Sequence, residues 1–397
     1  MRRAVVHNLR QLEGGPVENK KVIVLGAGRV GRVIARDLND DPDISVTVAD
    51  RRADMLASVA AKLGCETIAN NFSDSDAVSR VVSEFDLAIG ALPGSLGLST
   101  LRGVVAAGKD CVDISFMPED PRAIDGEAKR TGSKVLYDFG VAPGMSNLLS
   151  AASALAVAPV RQIRILVGGL PLVRRQPWEY AAPFSPVDVI EEYIRPARIK
   201  VGGVPSERAA LSGVESVEFP EIGTLEAFYT DGLRSLLTTV ACPAMEEKTL
   251  RYPGYAKRIS LLRDTGFFDS EPIEVNGVKV VPRDVTLKLL EPAWYLDELM
   301  DEFTVMRIQV TGGDAAPYKR VVWELLDRTD RYRNETSMAR TTGFPVAIAA
   351  RAMLNGELAL PPGVHPPESL ARDGAFIENL LAQLKLRGVL YRSQEQR

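Results

Sequence analysis

From Lys21 onward, short runs of β-branched residues alternate with stretches whose apolar positions recur at helical spacing. The runs KVIVLG, SVTVAD, ETIAN, DLAIGAL, DCVDIS and KVLYDFG are separated by VGRVIARDL, MLASVAAKLG, AVSRVVSEF and LSTLRGVVAAG. Continuous Val, Ile and Leu suits strands buried on both faces, and the intervening segments suit helices that cover them. The pattern predicts an α/β fold, a doubly wound parallel sheet of Rossmann type.

After Pro143 and Gly144 the rhythm changes to longer, more polar strands such as VRQIRILVGG, SVEFP, KTLRY, EFTVMRIQVTGG and KRVVWELLDR, with few helices between. This predicts a second, α+β domain containing a mixed sheet. Ser185, Pro186 and Asp188 offer an N-cap, a first-turn proline and an acidic residue near the positive end of the dipole, so a helix is expected to start there. Near Ser337 the alanine-rich pattern SMARTTGFPVAIAARAML is helical again, and FIENLLAQLKLRG follows a proline-rich connection. These C-terminal helices are expected to return to the first sheet. Residues 19–145 plus 335–397 then form the dinucleotide-binding domain, and 146–334 the substrate-binding domain.

The length of 397 residues suits two domains, since single cores stop growing beyond ~250–300 residues. The net charge of −4 comes with scattered Lys and Arg, which argues against a nucleic-acid partner. Cys65, Cys111 and Cys242 lie far apart and build neither a disulfide framework nor a metal-ligand pattern, so no metal is expected and a reducing, cytoplasmic setting fits. Met1–Glu18 reads as a tail without a signal-peptide core, and no apolar run reaches the ~20 residues of a membrane span.

The segment Gly26-Ala27-Gly28-Arg29-Val30-Gly31 directly follows the run KVIVL and opens VGRVIARDL. In that context the glycines form a dinucleotide turn. Gly26 permits the tight turn, Gly28 lets the backbone approach a pyrophosphate, and Gly31 lets helix and strand pack closely, with N–H donors and dipole at the helix start. Asp50 ends the second strand about twenty residues on, where a carboxylate can accept from the ribose hydroxyls and favours NAD. NADP stays open, because Arg51 and Arg52 follow at once and could bind its extra phosphate.

Ala91-Leu92-Pro93 after the fourth strand and Asp113-Ile114-Ser115 after the fifth fall at the carboxyl edge, where open α/β sheets bind ligands. The alternative for Asp113 is that it only caps its turn. With only His7 and His365 present, in the tail and in a proline-rich loop, acid–base work falls to carboxylates, tyrosines or lysines. Asp138, at the end of the sixth strand, is the second acid placed by topology near the cofactor. No Walker loop, HExxH or GxSxG competes, which leaves hydride transfer.

Several separated segments resemble the saccharopine dehydrogenase-like family, most closely its lysine 6-dehydrogenase branch. They are VLGAGRVGRVIARDL from Val24, DFGVAPGMSNLLS from Asp138, VGGLPLVRRQPWEYAAPFSPVDVIEEY from Val167, LEAFYT from Leu225, KTLRYPGY from Lys248 and MARTTGFPVAIAARAML from Met338. The resemblance implies a nicotinamide cofactor, dimerisation and an amino-acid substrate between the second-domain sheet and the nicotinamide. It also implies that Arg251, beside Thr249, and the pair Ser115-Phe116 contact an amino-acid carboxylate, and that Val141 lies in the cofactor half.

Two departures matter for the substrate. The family's Gly-Leu-Asp-Pro-Gly turn is Gly140-Val141-Ala142-Pro143-Gly144 here, and Thr230-Asp231-Gly232-Leu233-Arg234 replaces an Asn-Arg-Asp stretch. The missing aspartate disfavours saccharopine and suits a smaller substrate. The expected reaction is oxidative deamination of the ε-amine of L-lysine, with Arg251 as carboxylate anchor, Asp113 or Asp138 as base, and Tyr180 or Tyr229 as hydrogen-bond donors. A reductive condensation of amine and aldehyde is the rival within the class, and a non-catalytic NAD-binding sensor the rival outside it. A structural ion pair with Glu246 or Glu247 is the alternative reading of Arg251.

Overall fold

A computed structural model describes residues 19–297 and 300–396; the tail Met1–Glu18 and with it His7 lie outside the described residues. The chain divides into two compact units. One runs to Gly140 and resumes over Thr342–Leu384, and the other comprises Val141–Thr341 and the chain from Lys385 on.

The first unit contains β1 (Lys20–Leu25), β2 (Ile44–Asp50), β3 (Glu66–Ala69), β4 (Leu87–Gly90), β5 (Asp110–Asp113) and β6 (Lys134–Leu136). The second contains β7 (Val160–Pro171), β8 (Ala197–Val201), β9 (Val204–Arg208), β10 (Glu215–Phe219), β11 (Gly223–Tyr229), β12 (Ala244–Arg251), β13 (Ile273–Val275), β14 (Val278–Val280), β15 (Glu302–Gly312) and β16 (Arg320–Arg328). Two late strands, β17 (Gly363–His365) and β18 (Tyr391–Gln396), divide between them.

The first sheet is parallel with order β17-β6-β5-β4-β1-β2-β3. Val22 to Leu25 of β1 are wholly buried, as continuous apolar strands covered on both faces must be. Helices Arg29–Asn39, Ala53–Leu63, Ser75–Val82 and Gly94–Ala106 connect the strands. Two of their ends have a local cause: Gly64 closes the second helix in the left-handed region, and Asp74 caps the start of the third by accepting from Ala77 N at 2.7 Å. The order reverses at β1, so the glycine turn after it lies at the topological switch point where such sheets bind ligands.

The second sheet has the order β10-β11-β12-β7-β15-β16-β18, with β8 on β12 and β9 on β8. It is mixed: β7 runs parallel to β12 and antiparallel to β15. The adjacent glycines of β7 have a packing cause, because a Cβ on Gly168 would come within 2.5 Å of Leu250 O and one on Gly169 within 2.6 Å of Met338 Cε.

Four expectations need correction. The chain from Lys385 on belongs to the second unit rather than to a domain spanning 335–397, because β18 pairs antiparallel with β16. The proline-rich connection contributes β17 to the first sheet. The second unit also carries helices Tyr255–Asp264 and Pro282–Ala293 among its strands. The helix Pro186–Ile194 starts where Pro186 predicts, yet Ser185 makes no side-chain cap hydrogen bond.

Candidate functional residues in each unit

In the first unit the three glycines of the turn play separable parts. Gly26 has φ +118°, and a Cβ on it would stand 2.3 Å from Ala91 O; one on Gly31 would stand 1.9 Å from Gly26 O. Both therefore serve close backbone packing. Around Gly28 a Cβ would meet nothing within 4 Å. A bare backbone facing open space at the start of the helix Arg29–Asn39, whose N-cap Gly28 offers no side chain, fits a pyrophosphate cradle. Arg29 and Val30 form its first turn. Among the described residues no helix is long and apolar enough to cross a membrane.

Asp50 is 8% exposed. Its Oδ2 accepts from Ala27 N at 2.8 Å and its Oδ1 from Arg52 N at 2.9 Å, so it joins the end of β2 to the glycine turn. Each carboxylate oxygen keeps a second lone pair for a ribose hydroxyl. Arg51 is exposed beside it. Ala91 N donates to Leu25 O at 2.9 Å, and Pro93 precedes the helix Gly94–Ala106, so Ala91, Leu92 and Pro93 border the glycine turn.

Asp113 is wholly buried. Its Oδ1 accepts from Ser115 N at 2.8 Å and its Oδ2 from Ser115 Oγ at 3.0 Å. A Cβ on Gly90 would be 1.7 Å from Asp113 Oδ2, which explains the glycine. Burial pushes the Asp113 carboxyl up to about 8; the Ser115 hydrogen bonds oppose the shift and the charge of Asp138 adds to it. Both oxygens and the Ser115 hydroxyl are thus engaged within one turn, the capping role left open above. Phe116 is half-buried next to them. Asp138 is 1% exposed with φ +54°, a left-handed conformation that aspartate tolerates better than most residues. Val141 belongs to the second unit, where its carbonyl accepts from Ser146 N at 3.0 Å.

In the second unit β12 presents Glu247, Thr249 and Arg251 on one face by strand alternation. The helix Pro186–Ile194 brings Glu192 and Tyr193 to that face, and the helix Tyr255–Asp264, whose first N–H groups donate to Glu226, brings Tyr255. The Arg251 guanidinium lies 4.6 Å from the Tyr180 ring centroid and 5.8 Å from that of Tyr255. Its Nη1 donates to Leu250 O at 2.9 Å and its Nη2 to Tyr193 Oη at 3.2 Å. Tyr193 and Tyr255 share a hydroxyl contact of 3.1 Å. Tyr180 packs edge-on against Trp294 at 5.4 Å.

Four buried polar atoms in this box have no hydrogen-bond partner: Arg251 Nε, Tyr180 Oη, Glu192 Oε2 and Trp294 Nε1. Such atoms are expensive to leave unpaired away from water. Burial pushes the Tyr180, Tyr193 and Tyr255 hydroxyls up, so they serve as donors rather than bases. Thr249 Oγ1 meets Thr230 Oγ1 at 2.8 Å, and Thr230 donates to Glu247 Oε2 at 2.7 Å. Burial pushes Glu247 up to about 8; the Thr230 hydrogen bond lowers it and the charge of Glu192 raises it further.

Tyr180, Thr249 and Arg251 are therefore brought together, and Tyr229 is not. Tyr229 pairs with Lys248 in the sheet register, on the opposite face, and donates to Glu246 Oε2 at 3.0 Å. The ion-pair alternatives for Arg251 fail as well: Glu246 pairs with Arg164 at 2.8 Å, and the acid nearest Arg251 is Glu192 at 3.6 Å. Glu192, Tyr193 and Tyr255 escaped the sequence reading, which named Glu247 only as a partner for Arg251.

Residues 22–136 match the model of the saccharopine dehydrogenase NADP binding domain, and residues 140–389 that of the saccharopine dehydrogenase C-terminal domain. The chain belongs to the saccharopine dehydrogenase family. Its first unit is accordingly a nicotinamide-dinucleotide domain. The chain is 24% identical over 68% of its length to an alpha-aminoadipic semialdehyde synthase of Arabidopsis thaliana, of which it spans 29%. It is 22% identical to the saccharopine dehydrogenase [NADP(+), L-glutamate-forming] of Saccharomyces cerevisiae, over 88% of this chain and 94% of that one. The apo structure of the L-Glu-forming saccharopine dehydrogenase from Saccharomyces cerevisiae shares the fold, with a TM-score of 0.77 at 19% identity over 96% of this chain and 100% of that one.

Proposed function

We propose that this chain is an amino-acid dehydrogenase that oxidises the ε-amine of L-lysine to 2-aminoadipate 6-semialdehyde and ammonia, with NAD as the preferred cofactor. The observation that carries the reading is Arg251, buried with Nε unpartnered beside the unpartnered Tyr180 hydroxyl. A guanidinium fork and a phenolic donor together suit a carboxylate. The Val-Ala form of the Gly140–Gly144 turn, without an acidic residue, favours a substrate with one amino-acid head.

The bound dinucleotide supplies the hydride acceptor. A base first takes a proton from the ε-ammonium, and a C–H bond at Cε breaks as its hydride leaves, forming an iminium C=N bond. Water then adds and ammonia departs, leaving an aldehyde that cyclises onto the α-amine. The base role falls to a carboxylate, since His365, the one histidine among the described residues, contacts Pro361 O through Nε2 at 2.7 Å. The two candidates are Asp113, whose oxygens accept from Ser115, and the buried Asp138.

A second reading is the joining of an amine to an aldehyde, or its reverse, and the relative named saccharopine dehydrogenase [NADP(+), L-glutamate-forming] favours it. Ammonia separates the two: incubation with L-lysine and NAD should give NADH and ammonia in equal amounts. Reduced cofactor only from a secondary amine such as saccharopine, without ammonia, would instead establish the second reading.

A further inference from the structure

Glu191 and Glu192 are neighbours on the helix Pro186–Ile194, yet they face different tasks. Glu191 is held by Arg283 at 2.6 Å and approached by Arg195 at 3.8 Å. Glu192 turns to Arg251 but stops at 3.6 Å from its Nη2, outside hydrogen-bonding distance, and its Oε2 is buried without a partner.

Three of the unpartnered atoms lie on Arg251, Tyr180 and Glu192, and they differ in kind. Arg251 Nε and Tyr180 Oη can donate, and Glu192 Oε2 can only accept while ionised. A carboxylate uses the two donors and leaves the acceptor unused. An ammonium uses the acceptor. An α-amino acid carries both groups on one carbon, and Arg251 Nη2 and Glu192 Oε2 lie 3.6 Å apart. We propose that Glu192 receives the α-ammonium of the amino-acid head whose carboxylate Arg251 holds, so that this cluster selects α-amino acids over plain carboxylic acids. This rests on reading Arg251 as the carboxylate clamp.

Two further observations agree. Glu192 keeps a 19% exposed side chain against 4% for Arg251, so of the two it lies nearer the solvent. Burial pushes the Glu192 carboxyl up to about 7, with Arg251 pulling it back and Asp188 adding to the rise. Arg251 and Arg195 together leave the ionised form incompletely compensated, and a further cation seated against Glu192 would favour it.

The test uses the full chain loaded with NADH, so that nothing turns over, and calorimetric titration with three ligands: L-lysine, 6-aminohexanoate, which lacks only the α-ammonium, and cadaverine, which lacks the α-carboxylate. L-Lysine should bind about tenfold or more tightly than 6-aminohexanoate, the scale of one lost charged hydrogen bond. Glu192→Gln should remove that preference, weakening L-lysine while leaving 6-aminohexanoate within about twofold and so also showing that the variant is folded. Equal binding of L-lysine and 6-aminohexanoate to the parent overturns the proposal and spares the clamp. Equal binding of L-lysine and cadaverine overturns the clamp and the proposal with it. A Glu192→Gln variant that loses both carboxylate ligands alike makes Glu192 a support for Arg251 and also overturns it.

Discussion

Asp50 Oδ2 accepts the Ala27 N–H at 2.8 Å, so the residue expected to sense the ribose is also a strut of the turn expected to hold the pyrophosphate. Asp50→Ala should therefore lower NAD affinity by about 1–3 kcal/mol, the scale of lost hydrogen bonds to a charged group. NADP should lose less, because its phosphate is relieved of a like charge. Fluorescence titration with both nucleotides checks this. Equal losses would reduce Asp50 to the structural role alone.

Gly28 and Gly31 should separate binding from folding. Gly31→Ala places a Cβ 1.9 Å from Gly26 O and should lower stability by about 1–3 kcal/mol through overpacking. Gly28→Ala has room and should leave Tm unchanged while lowering dinucleotide affinity about tenfold, or about 1.4 kcal/mol. A Gly28→Ala variant that binds normally would contradict the cradle.

Glu247 should give the protein a pH signature. Its carboxyl titrates near 8 when folded and near the ordinary ~4.3 when unfolded. Between those values the folded state binds more protons than the unfolded one, so its contribution to stability is complete below about 4.3 and is lost as pH rises through about 8. Removing the group in Glu247→Gln should shrink the fall in Tm between pH 5 and pH 8.5. An unchanged pH profile would show that Glu247 is already ionised in the folded chain at neutral pH.

The parallel sheet and its glycine turn were legible because β-branched runs, helical periodicity and glycine spacing all act locally. The misses share a physical cause. Gly363–His365 is three residues among prolines and gains strand geometry only from β6. Tyr391–Gln396 is polar, and only pairing with β16 makes it a strand. The helix Pro282–Ala293 includes Pro292 and buries just Thr286 and Leu290, so its apolar signal is weak. Glu191 and Glu192 look alike in sequence, and only the packing of their helix distinguishes them. Tyr229 could have been set apart from Arg251 by register parity, had the pairing of β11 with β12 been known.

The central claim is that Arg251 clamps the carboxylate of an amino acid whose distal amine is oxidised. The most direct measurement is kcat/KM for L-lysine and for cadaverine, followed as NADH and ammonia, in the parent and in Arg251→Lys. Lysine offers a point charge where arginine offers a planar fork. The account predicts that the substitution lowers kcat/KM for L-lysine by about 1–3 kcal/mol. It also predicts that NAD affinity is unchanged and that cadaverine, a poor substrate of the parent, loses little more. Equal losses for L-lysine and cadaverine, together with a lowered Tm, would contradict it and leave Arg251 a structural cation among tyrosines.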